Sequence, residues 1–154
     1  MKIQRSDKRC YELTEDSERL GRIIYKGLFS FKASAIVGDA SYTITPKGIF
    51  NTSISVTRDG MEVAKMKMNW KGHIFISFQN GREFVFKATG SFLTRYVLED
   101  KEQQKIMFLN PDFVWSKFSY NYDISYDNAP PDILLVLLAA YSANYYVAAM
   151  SAAM

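Results

Sequence analysis

Residues 127–154 read DNAPPDILLVLLAAYSANYYVAAMSAAM, and no charged residue follows Asp132. Pro130 and Pro131 stop whatever strand precedes them. Pro131 is tolerated in a first helical turn, and Asp132 sits near the positive end of the helix dipole. A straight helix from Asp132 onward would run roughly 34 Å. It is apolar on every side, so lipid or protein must enclose it. An uncharged run of more than about 18 residues meets the length criterion for a membrane span. Three features weigh against lipid. No Lys or Arg flanks the run, Ser142 and Asn144 fall near its middle, and Tyr141, Tyr145 and Tyr146 are central where membrane tyrosines prefer the interfaces. The second half, SANYYVAAMSAAM, is thick with Ala and Ser, which suits a protein wall that approaches closely.

The preceding hundred or so residues supply such a wall. From Gly21 onward, RIIYKG, FKASAIVG and ASYTIT read as strands, with Pro46-Lys47-Gly48 as a turn. Hairpins follow in SISVTRDGMEVAKMKMN, turning at Asp59-Gly60, and in HIFISFQNGREFVFKA, turning at Asn80-Gly81. TRYVLEDKEQQKIMFLN turns around Asp100. Asp-Gly and Asn-Gly are strong hairpin signals because both central residues of a type I′ turn need positive φ. Period-two alternation supports the strands. Ile54 and Val56 oppose Ser53, Ser55 and Thr57, while Ala64, Met66 and Met68 oppose Val63, Lys65 and Lys67. Tyr120, Tyr122, Ile124 and Tyr126 oppose Asn121, Asp123, Ser125 and Asp127. The count is ten to twelve strands, each with one wet and one dry face. A sheet of that size curls or closes, and a closed one of about twelve strands leaves a lumen that must be filled. The fold class expected is therefore mostly β: a closed antiparallel barrel around the hydrophobic C-terminal helix. It forms one domain over 1–154, with 1–10 as a polar N-terminal extension and 131–154 as the central helix.

Composition narrows the function classes. At 48% hydrophobic and 15% aromatic the chain carries a core rather than disorder. A net charge of +3, with basic and acidic residues interspersed, argues against nucleic acid as a partner. The lone Cys10 excludes an intrachain disulfide and a cysteine-based metal site, and reads as an inert or exposed thiol. The charged start, MKIQRSDKRCYELTEDSERLGR, is not a secretory signal, so the expected location is cytoplasmic or peripheral at the membrane.

The junction YNYDISYDNAPPDILLVLLAAYSANYY carries an alternating strand into an aliphatic helix through Pro131 and Asp132. Together with the hairpins VTRDGMEVAKMKM and FQNGREFVFK, it resembles the tubby C-terminal-like superfamily, including its LURP-one-related and phospholipid scramblase branches. The likeness is one of layout and runs from about Tyr11 to the end. It implies a twelve-stranded antiparallel barrel around a C-terminal helix. It also implies a binding role, since tubby domains hold phosphoinositide head groups through basic side chains on the barrel wall. Scramblase-like members carry an acidic, calcium-associated stretch before the helix, where Asp123, Asp127 and Asp132 stand here. The spacing of these three lacks the close-set ligands and turn glycine of an EF-hand loop.

No catalytic constellation is legible. His73 is the only histidine and reads as a structural residue beside Gly72. Glu15-Asp16 and Glu99-Asp100 fall at strand ends or turns, and neither a Walker pattern nor GxGxxG occurs. No cofactor, metal or catalytic residue is expected. The candidate contacts for an anionic head group are Lys65 and Lys67, which share one strand face, with Lys71 and Trp70 at the next turn. The plainer reading is that these lysines solubilise the outer face and guard an edge. The function expected is a non-enzymatic binding or scaffolding module whose partner is an anionic phospholipid or a protein, and which is not an integral membrane protein. The alternatives are a tail-anchored protein spanning the bilayer with 133–154, and a small-molecule carrier or enzyme, which a helix-filled lumen disfavours.

Overall fold

The computed structural model describes residues 1–27, 30–48, 53–90, 95–116, 119–128 and 131–152. The first six strands are β1 (Lys2–Arg5), β2 (Cys10–Glu15), β3 (Glu18–Tyr25), β4 (Ala33–Val37), β5 (Ala40–Lys47) and β6 (Ser53–Arg58). The next six are β7 (Met61–Met68), β8 (Ile74–Phe78), β9 (Glu83–Thr89), β10 (Arg95–Asp100), β11 (Lys105–Val114) and β12 (Ser119–Ser125). One helix, α1 (Ile133–Ala152), completes the described elements. Each strand pairs antiparallel with the next, and β1 also pairs with β12, so the sheet closes into a barrel around α1.

The closing strand lies in the segment expected to be a polar extension. Ile3 stands opposite both Leu13 of β2 and Tyr122 of β12, and is fully buried. Charged neighbours conceal this strand in the sequence, because Lys2 and Gln4 point outward while a single inward Ile carries the packing. The Ile124 amide donates to the Met1 carbonyl (2.9 Å), continuing the seam. Closure leaves no edge, so Lys65 and Lys67 have none to guard.

Alternation builds the wall as expected. On β7 Ala64 and Met66 are buried and Lys65 and Lys67 exposed; on β8 Ile74, Ile76 and Phe78 face in. Ser55 departs from the pattern: it is buried on the outer side, where its hydroxyl donates to Glu62 Oε2 (2.6 Å). Cys10 is also buried.

The turns divide. Asp59 and Gly60 both take positive φ, as a type I′ turn requires. At Asn80-Gly81 only Gly81 does; the Gly81 amide donates to the Phe78 carbonyl and the Asn80 side chain accepts from the Arg82 amide. This is a three-residue loop with a left-handed glycine. Pro46 and Lys47 are not a turn but the end of β5, opposite Ile54 and Ser53. The pairing of β4 stops at Ile44, so Pro46 has one neighbouring strand to satisfy and its missing N–H is tolerated. Pro130 lies outside the described residues.

Asp132 caps α1: its Oδ1 accepts from the Leu134 amide (2.9 Å), and its Oδ2 meets Arg82 (3.4 Å). Leu134, Leu135, Val136, Leu137 and Leu138 are then buried in succession, all round the helix. Helix side chains press on the wall at Gly21, where a Cβ would stand 2.9 Å from the Ile36 carbonyl and 3.1 Å from Leu137. The mid-helix polar residues are satisfied inside the barrel. Ser142 donates to the Leu138 carbonyl (2.8 Å), and Asn144 accepts from Tyr122 (2.9 Å) and donates to Tyr25 (3.0 Å).

Candidate functional site

In an up-and-down barrel, successive connections alternate between the two ends. Those after β1, β3, β5, β7, β9 and β11 gather where the C-terminal end of α1 emerges; the others gather where α1 enters. The two ends differ in charge. Among the described residues, the emerging end carries Lys8, Arg9, Lys26, Lys32 and Lys71 in its connections against Asp7 alone. At the opposite end the connections carry Asp16, Asp39, Asp59, Glu102, Asp127 and Asp132 against Arg82 and Lys101. A modest net charge therefore conceals a strong axial separation.

Both tryptophans lie at the basic end. Trp70, 89% exposed, tips the β7–β8 hairpin, and Trp115, 76% exposed, tips the β11–β12 hairpin edge-on to Phe113. The β7–β8 tip is rigid. Asn69 Oδ1 accepts from the amides of Lys71 and His73, and the Asn69 amide donates to the His73 carbonyl. Gly72 takes a positive φ there, and a Cβ would meet the Tyr146 ring at 3.0 Å. The tip is thus held against the helix while its indole faces solvent.

The structure brings two of the four sequence candidates into contact. The Lys71 ammonium lies over the Trp70 ring at 5.3 Å. Lys67 points outward near the same end, opposite Phe75, itself 42% exposed. Lys65 is one step further from the tip and bridges to Glu62 (3.6 Å), which neutralises it in part. His73 adds an electrostatic reading: its imidazole is held below the usual histidine value by burial first, then by the charges of Lys87 and Lys71, with Glu99 opposing. Lys87 is itself paired to Glu99 at 2.6 Å.

Asp123, Asp127 and Asp132 do not converge. Asp123 is near Lys2 (4.0 Å), Asp132 caps the helix, and among the described residues no group of three acidic, histidine or cysteine side chains has metal-holding geometry.

Sequence reasoning missed a cleft of about 530 Å3 at the emerging end, between α1 and the strands at the seam. Arg5, Lys8, Tyr11, Ser119, Asn144 and Ala148 are among its lining. The register places Arg5 beside Tyr11, on the inward side of the seam. Asn144, a lone amide in an uncharged helix, was the one available signal. The helix therefore fills the lumen along its first half, whereas the small residues Ala148 and Ser151 leave open space rather than drawing the wall in. Comparison with known protein families, curated proteins and solved structures returns no match to this chain.

Proposed function

We propose that this chain is a non-enzymatic barrel module that docks its basic, tryptophan-bearing end on an anionic membrane surface. The observation that carries this reading is the coincidence of both exposed indoles with the lysine-rich connections at one end, while the acidic connections lie at the other. Indoles favour the head-group level of a bilayer, and basic side chains gain from its negative potential. The axial charge separation orients the molecule before contact, acidic end away. The resemblance to tubby-like barrels belongs to the same proposal, since their head-group recognition also uses basic side chains of the barrel wall.

The tail-anchored alternative requires α1 to leave the barrel. Lipid would cover the helix as the wall does, but the inward side chains of the wall, Ile3, Leu13, Ile23, Ile44 and Leu98 among them, would lose the helix they pack on and face an emptied lumen. Docking by the barrel end needs no such loss.

Vesicle sedimentation tests the proposal. Wild type should pellet with phosphatidylcholine vesicles that contain phosphatidylserine, and should be released by added salt. Each basic side chain near an anionic surface contributes about 1 kcal/mol, so Lys67→Ala/Lys71→Ala should lower partitioning roughly thirtyfold. Trp70→Ala should weaken it as well, and Lys101→Ala, at the acidic end, should not. A wild type that stays in the supernatant, or a double variant that pellets equally, overturns the proposal.

A further inference from the structure

The cleft beside the emerging helix has features that packing alone does not require. The Ser119 hydroxyl is buried, lines the cleft and has no hydrogen-bond partner. Burial holds the neighbouring Tyr11 phenol above its usual value, with Arg5 and then Ser119 opposing, although the Ser119 and Tyr11 hydroxyls do not reach hydrogen-bond geometry. Leaving such a group unsatisfied destabilises the folded protein. A second donor is available nearby: the Tyr25 hydroxyl accepts from Asn144, and its own proton has no acceptor among the described residues. Among the described residues no carboxylate lines the cleft, whereas Arg5 and Lys8 bring positive charge to its rim. The Arg5 guanidinium is fixed there by donating to the carbonyls of Asp7 and Lys8 (3.0 and 2.8 Å). The remaining wall is mixed, with an apolar strip of Phe31, Val147 and Ala148 beside the polar Ser30, Asn144 and Ser151, and the volume falls in the range of roughly 300–1,000 Å3 typical of small-molecule sites.

We infer that this cleft binds a small amphiphilic anion. Its carboxylate or phosphate head would be held by the Ser119 and Tyr25 hydroxyls in the field of Arg5 and Lys8, and its apolar body would lie along Val147 and Ala148. The orphaned hydroxyl is the deciding feature. A serine kept buried without a partner weakens the free protein, and an acceptor atom of a ligand would satisfy it. Charge at the rim sets the sign of that acceptor, and the apolar strip of Phe31, Val147 and Ala148 sets the character of what is attached. The inference stands apart from membrane docking, because it is measured without vesicles.

Titration calorimetry with decanoate, decyl phosphate, decanol and inorganic phosphate tests it on the full chain. Decanoate or decyl phosphate should bind with one-to-one stoichiometry, and more tightly than either decanol or inorganic phosphate. Ser119→Ala should weaken that binding about threefold to tenfold, the worth of one hydrogen bond, while leaving the thermal midpoint of the free protein unchanged or higher. Lys8→Met, at an exposed position, should weaken the anions and leave decanol unaffected. Absence of binding by both amphiphilic anions overturns the inference. So does equal binding of decanol, equal binding of inorganic phosphate, or a Ser119→Ala protein with undiminished affinity.

Discussion

His73 is the residue at which the charge of the candidate site can be read directly. Burial and the ammonium groups of Lys87 and Lys71 all disfavour its protonated form, with Glu99 the one opposing charge. The folded protein therefore binds this proton less readily than the unfolded chain, whose histidine titrates near about 6.5. The stability linked to the neutral imidazole is complete above that value and is lost as pH falls from it toward the lower folded value. Because His73 is the sole histidine, its ring proton signals give an unambiguous NMR titration. The midpoint should lie below about 6.5 and move upward in Lys71→Ala. A midpoint at or above the unfolded value would deny the positive field at the hairpin tip. At this scale the sequence supplied residue types and little else. Lys67, Lys71 and Trp70 were nameable from alternation and a turn, but Lys65 and Glu62, three residues apart on β7, share a face only through the register shift between β6 and β7. Ser119 and Arg5 line one cleft only because the barrel closes, and no local pattern encodes that.

The elements were legible where one face is consistently apolar and the turn chemistry is explicit. The β6–β7 hairpin is the clearest case, with Asp59-Gly60 between alternating strands. β1 and β2 were hidden for two reasons. β1 packs through a single inward Ile3, and the β2–β3 turn places Asp16 and Ser17 at positive φ with no glycine to announce it. β5 ran past its expected end because Pro46 lies beyond the reach of β4. The helix was legible as an apolar run, and the barrel supplied its partner. Gly21 shows how closely the two fit. Its backbone is not left-handed, so its requirement is one of space: the Ile36 carbonyl, Leu137 and Ile133 all stand within 3.3 Å of where a Cβ would be. Gly21→Val should lower stability by about 2–3 kcal/mol through overpacking, measured by urea unfolding. A fully tolerated valine would mean that helix and wall do not meet there.

For the whole molecule, the tail is the core of the barrel, and the basic barrel end is the proposed surface of recognition. Buried tyrosines give one global consequence. Burial holds the phenols of Tyr25, Tyr122 and Tyr141 well above the usual value, and Tyr96 is pushed up to about 12. An unfolded chain releases these protons near about 10, so the folded state keeps its full stability below that pH and loses it as the pH rises further. Spectroscopic titration should show Tyr25, Tyr122 and Tyr141 silent near about 10 and ionising only as the fold is lost. Ionisation of all ten near that value with the fold intact would contradict the packing. The most direct test of the central claim is amide hydrogen exchange of the full chain in detergent-free buffer. Amides of 135–143 should exchange as slowly as those of the central strands, through global unfolding alone. Rapid exchange across those residues, with the strands still protected, would place the helix outside the barrel and end the account.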